Sequence, residues 1–140
     1  LQQSHYSEPH TWNKDAPAVK KMMRTPNTYG YFTATYTPIK PLSIALSGTY
    51  TGSMLVPHEP VPGFLENPIT VNTKDFFDIG LKAAYDFKLY KSMNLQINAG
   101  IQNIFNAYQD DFDKGADRDS GYIYGPSLPR SFFVGVKISY

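Results

Sequence analysis

Apolar and polar residues alternate over the last stretch of the chain. Phe132, Val134, Val136, Ile138 and Tyr140 fall on one side of an extended strand, with Ser131, Phe133, Gly135, Lys137 and Ser139 on the other. Successive side chains of a strand point to opposite faces, so this pattern sets one face against an apolar medium and the other against water. A run that keeps its alternation through to an aromatic end fits a strand crossing an outer membrane, with the aromatic at the interface. Five segments are predicted as strands: residues 28–37, 42–52, 75–87, 94–106 and 130–140. In the second, Leu42, Ile44, Leu46 and Tyr50 oppose Ser43, Ala45, Ser47 and Thr49; in the third, Phe77, Ile79, Leu81, Ala83, Tyr85 and Phe87 oppose Asp78, Lys82 and Asp86. In the fourth, Leu95, Ile97, Ala99, Ile101 and Phe105 oppose Asn94, Gln96, Asn98 and Gln102. Four of these segments hold period two over about 10 residues, the length a tilted strand needs to cross a bilayer. No segment reads as a convincing helix.

The connections alternate in length. Residues 38–41 and 88–93 are short, whereas 53–74 and 107–129 span 22 and 23 residues. Outer-membrane barrels have short periplasmic turns and long extracellular loops. With Tyr140 at the periplasmic end, both short connections fall on that side and both long ones outside. Residues 1–27, polar and irregular, are expected to form a third outer loop. Tyr36, Phe87, Tyr90 and Tyr140 then lie at one rim and Tyr29, Tyr31, Tyr50, Phe76, Phe77, Phe105 and Phe132 near the other, as two aromatic girdles require. The fold class predicted is all-β: an antiparallel meander of about five strands.

Composition narrows the picture by exclusion. The chain of 140 residues has no Cys, hence no disulfide framework and no thiolate metal site. Its net charge of +1 gives no electrostatic argument for nucleic acid. Mean hydropathy is −0.38 and no apolar run approaches a membrane-spanning helix, but barrel strands alternate and leave no such run. The chain opens on Leu1 without an initiator Met or a signal peptide, and is read as a piece of a longer protein.

The C-terminal third resembles TonB-dependent outer-membrane receptors. Gly100-Ile101-Gln102-Asn103-Ile104-Phe105-Asn106 is similar to the family's penultimate strand, and Gly125-Pro126-Ser127-Leu128-Pro129-Arg130-Ser131-Phe132-Phe133-Val134-Gly135-Val136 to its final loop and strand. The resemblance covers residues 95–140 most strongly; over 24–87 it is mainly one of pattern. The loop at 112–124 looks like one seen in Bacteroidetes members of the siderophore, haem and cobalamin receptor type. The resemblance implies a barrel of about 22 strands around an N-terminal plug, located in the outer membrane of a Gram-negative bacterium. The whole receptor would import a scarce nutrient such as an iron-siderophore, haem or cobalamin. Its partners would be its own plug, which this chain lacks, the remaining strands, outer-membrane lipid and, through the plug, TonB. Phe132, Val134, Val136, Ile138 and Tyr140 resemble the assembly signal read by the barrel assembly machinery.

Candidate chemistry lies in the outer loops. Asp110, Asp111, Asp113, Asp117 and Asp119 offer several oxygens from one short segment, as a hard cation such as Ca²⁺ requires; a solvated, charged loop is the alternative. His5, His10 and His58 carry imidazoles able to ligate haem iron or a transition metal. His58 is singled out because Pro57 and Pro60 hold its segment extended. Trp12 is a second candidate for ligand contact, by stacking. No nucleophile–base pair on a strained turn and no phosphate-binding glycine loop is present, so no enzymatic activity is expected. The rivals are a non-transport barrel, a barrel enzyme with a His58-centred rim cluster, and a soluble β-sandwich binding domain. An isolated five-stranded sheet with two open edges and an uncovered apolar face is expected to self-associate.

Overall fold

The computed structural model describes every residue except Lys91 and Ser127. Lys91 lies in the turn predicted at 88–93, and Ser127 in the connection predicted at 107–129 and in the Gly125–Val136 motif; both positions lie outside the described residues. The strands in chain order are β1 (His5–His10), β2 (Val19–Lys21), β3 (Tyr29–Ile39), β4 (Leu42–Thr51), β5 (Leu55–His58), β6 (Ile69–Asn72), β7 (Phe76–Lys88), β8 (Asn94–Gln102) and β9 (Ser131–Ser139). The fold is all-β. β3, β4, β7, β8 and β9 form a five-stranded meander in that order, and β1–β2 and β5–β6 form two small hairpins. The chain folds as two compact units. One comprises Leu1–Tyr29, Tyr50–Phe76 and Tyr108–Ser127; the other comprises Gly30–Thr49, Phe77–Ala107 and Leu128–Tyr140.

In the sheet unit, the antiparallel registers of β7 with β8 and of β8 with β9 align four rows of side chains. Leu81–Ile101–Phe132, Ala83–Ala99–Val134, Tyr85–Ile97–Val136 and Phe87–Leu95–Ile138 run across three strands on one face. The opposite face carries Lys82–Gly100–Phe133, Ala84–Asn98–Gly135, Asp86–Gln96–Lys137 and Lys88–Asn94–Ser139. Gln96 Nε2 donates to Asp86 Oδ1 at 2.8 Å, and Asn98 Nδ2 to the Gly135 carbonyl at 3.1 Å. The alternation thus separates two chemically distinct surfaces rather than a core and an exterior. The apolar surface is uncovered: Phe132, Val134, Val136 and Ile138 are 75, 78, 64 and 60% exposed. The sheet is open, with β3 and β9 at its edges.

Three differences from the sequence expectation have local causes. The stretch predicted as strand to residue 106 leaves the sheet after Gln102, because Asn103 and Asn106 take left-handed conformations (φ 51° and 53°). Asn is among the few residues that adopt this conformation at modest cost. Asn103 is buried and its side chain is fully engaged: Nδ2 donates to the carbonyls of Ala107 (2.9 Å) and Leu128 (3.0 Å), and Oδ1 accepts from the Ala107 amide at 2.8 Å. Asn106 Oδ1 accepts from the Arg130 amide at 2.9 Å. The Asn103–Asn106 turn therefore ties the exit of β8 to the approach of β9. Asn103→Ala is expected to cost about 2–4 kcal/mol, since it orphans buried backbone groups; denaturant unfolding in detergent micelles measures it. The other two differences are the β1–β2 and β5–β6 hairpins, inside residues 1–27 and 53–74, which carry no sustained alternation.

The second unit has a small core of Met54, Val56 and Tyr122, with Val71 and Tyr124 packed against it. Arg24, in a left-handed conformation (φ 56°), fastens three of its segments. Its amide donates to the Leu55 carbonyl at 2.7 Å, and its guanidinium to the carbonyls of Gly121 (2.5 Å) and Ile123 (3.2 Å).

Candidate functional site

The polar residues of the second unit converge around His58, at the end of β5. Its imidazole Nε2 lies 2.8 Å from Asp113 Oδ2, and both side chains are about 15% exposed. The ring stacks on Tyr122, with centroids 3.8 Å apart and an interplanar angle of 9°. Asp113 Oδ2 also accepts the Asp119 amide at 3.2 Å, and Asp119 in turn accepts the amides of Glu59 (3.1 Å) and Gly121 (2.8 Å). His58 is thus clamped between a ring and a carboxylate, both contributed by residues 108–127.

A second cluster adjoins it. Asp111 accepts the phenols of Tyr122 (2.9 Å) and Tyr124 (2.6 Å), one on each oxygen. Gln109, 1% exposed, donates to the Tyr122 carbonyl at 2.9 Å and accepts the Tyr124 amide at 2.9 Å. Burial, reinforced by the hydrogen bonds to Asp111 and by its charge, pushes both phenols well above their ordinary range. In the unfolded chain these phenols ionise near pH 10, at about the free value; in the fold they keep their protons to higher pH. Their contribution to stability is full below about pH 10 and is lost as pH climbs above it. Stability followed against tyrosinate absorbance is expected to fall through the alkaline range; a flat profile there contradicts the network.

The five aspartates singled out in the sequence are not brought together as a ligand set. Asp110 pairs with Lys74 at 2.9 Å, which holds its carboxyl below the usual range and raises the ammonium. Asp111 serves two phenols, Asp113 serves His58, and Asp119 caps backbone amides. Asp117 is exposed. Among the described residues no group of three or more His, Asp or Glu is placed to hold a metal ion. His5 and His10 bound β1, apart from His58 in chain and strand. The Trp12 indole Nε1 is buried and has no hydrogen-bond partner among the described residues. The candidate assembly residues Phe132, Val134, Val136 and Ile138 form the β9 part of the apolar rows, and Tyr140 follows β9 fully exposed.

Sequence reading missed Tyr122, Tyr124, Gln109 and Arg24. The period-two spacing of Tyr122 and Tyr124 was the available signal that both rings lie on one side of their segment. Nothing along the chain foretold that Asp111 and His58 would meet it. No protein-family model, no curated protein and no solved structure matches this chain.

Proposed function

We propose that the five-stranded sheet is a segment of outer-membrane barrel wall, and that the chain is part of a TonB-dependent receptor importing a scarce nutrient such as an iron-siderophore, haem or cobalamin. The observation that carries this reading is the set of four apolar rows running across β7, β8 and β9 on an uncovered face. A soluble sandwich buries such a face under a second sheet; here no second layer covers it among the described residues. A barrel wall meets lipid on that face and keeps a polar lumen on the other. The opposite rows, with Lys82, Asp86, Gln96, Asn98 and Lys137, have the composition of a lumen surface. The meander adds the length rhythm: β3–β4 and β7–β8 join by short turns, β4–β7 and β8–β9 by long connections, which places all the long ones at one end of the sheet.

Under this reading the long connections are outer loops, and the Asp111 and Asp113 networks keep them in fixed shapes rather than binding metal. The remaining strands, the plug and outer-membrane lipid are the partners of the wall, and the β9 apolar row with Tyr140 is the assembly signal. Fractionation of cells producing the full gene product tests the assignment. The protein is expected in the outer membrane, resistant to carbonate extraction, with nutrient uptake lost when TonB is deleted. Recovery as a soluble monomer contradicts it.

A further inference from the structure

Beside the β1–β2 hairpin lies a polar hollow of about 270 Å³, walled by Gln2, Ser4, His5, Lys21, Thr25 and Asn27, with Gln3 also lining it. No carboxylate lines it. His5 and Lys21 are direct cross-strand partners. Neither forms an ion pair among the described residues, although three carboxylates elsewhere in the chain do. Lys21 is half-buried whereas its neighbour Lys20 is exposed, so Lys21 is the lysine drawn toward the interior of the unit without a counter-charge.

The walls are fixed. The Met22 amide donates to the Ser4 carbonyl at 2.9 Å, and the Gln2 amide to the Asn27 carbonyl at 2.8 Å. Ser4 Oγ accepts from Gln2 Nε2 at 3.0 Å, which leaves the hydroxyl hydrogen free to donate elsewhere. The residues carrying the Lys21 ammonium, the His5 imidazole and the Ser4 hydroxyl thus line one small volume with no carboxylate among them, while the Thr25 hydroxyl donates to the Met23 carbonyl at 3.2 Å.

We infer that this hollow binds a phosphoryl group. Such a group carries several strong acceptor oxygens and more charge than a carboxylate, and a lysine surrounded by neutral donors suits it as a point-charge partner. The hollow belongs to the hairpin and its flanking residues, so its chemistry is independent of the barrel assignment. Either a free phosphate or a lipid headgroup supplies the phosphoryl group, and two probes separate these sources.

Amide NMR shifts of the 140-residue chain in uncharged maltoside micelles are followed on titration with inorganic phosphate. Co-sedimentation is measured with vesicles of an uncharged, phosphorus-free glycolipid with and without phosphatidic acid. Shifts at Ser4, His5, Lys21 and Met22 are expected. Lys21→Gln is expected to weaken binding at least about tenfold, the loss typical of one charge-assisted hydrogen bond. Lys20→Gln removes the same charge one residue away and is expected to leave binding unchanged. His5→Gln, an exposed change that spares the fold, is expected to weaken it severalfold. Response to phosphate alone identifies free phosphate as the source; response to phosphatidic acid vesicles identifies a headgroup. Absence of response to both probes, or equal losses in Lys20→Gln and Lys21→Gln, overturns the inference.

Discussion

Val134→Arg is expected to abolish insertion of the sheet into a bilayer. Val134 lies in the middle of β9 and in one row with Ala83 and Ala99, and is 78% exposed on the apolar face. In the proposed wall that position is lipid-facing, where Arg at the bilayer midplane costs about 2–4 kcal/mol. Gln96→Arg provides the contrast. Gln96 stands on the opposite face, where its amide already donates to Asp86 at 2.8 Å. An arginine there has the same carboxylate on one side and Lys137 on the other, and with these opposing the effect is expected within about 1 kcal/mol. Folding into lipid vesicles, read by protease protection, measures both. Equal tolerance of the two arginines removes the lipid-facing role of the apolar rows.

The second large effect concerns Gly100. A Cβ on this residue would lie 2.5 Å from Phe133 Cζ and 2.6 Å from the Leu81 carbonyl oxygen. The Phe133 ring therefore covers the glycine across the strand pair, and the β7 backbone approaches it closely. Gly100→Ala is expected to destabilise the sheet by about 1–3 kcal/mol, the usual cost of overpacking. The double variant Gly100→Ala with Phe133→Ala relieves the ring contact but not the Leu81 carbonyl, so it is expected to recover little of the loss. Full recovery would place the constraint in the ring alone. Denaturant titration in micelles distinguishes the outcomes.

Four of the five long strands were legible because each carries its own two-faced pattern, and the observed bounds of all five lie within two residues of the expected ones except at the exit of β8. There the alternation of Ile101 and Phe105 argued for continued strand, but Asn103 and Asn106 take left-handed conformations and turn the chain. The hairpins were not legible for a different reason. β1 reads His-Tyr-Ser-Glu-Pro-His, and its pairing with β2 is irregular between His5 and His10; β5 contains Pro57. Such strands exist because the next strand in the chain satisfies them, and their own residues carry no alternation that announces it.

The polar networks follow the same rule. The prolines around His58 identify its extended segment, yet its partner Asp113 lies 55 residues away, in a run of carboxylates that by itself suggests a metal ligand. A run of carboxylates says only that charge is present. Which donors compensate it, here Lys74, His58, two phenols and backbone amides, is decided by tertiary packing.

The wall assignment makes its sharpest claim about β9, and the absence of Cys from the chain makes that claim directly measurable. Single cysteines placed in turn at residues 131–139, spin-labelled, and refolded into phospholipid bilayers report accessibility to oxygen from the lipid and to a nickel chelate from water. The labels at Phe132, Val134, Val136 and Ile138 are expected to favour oxygen, and those at Phe133, Gly135 and Lys137 the chelate, in strict alternation. Uniform access to the chelate along β9, or alternation with the faces reversed, contradicts a barrel wall.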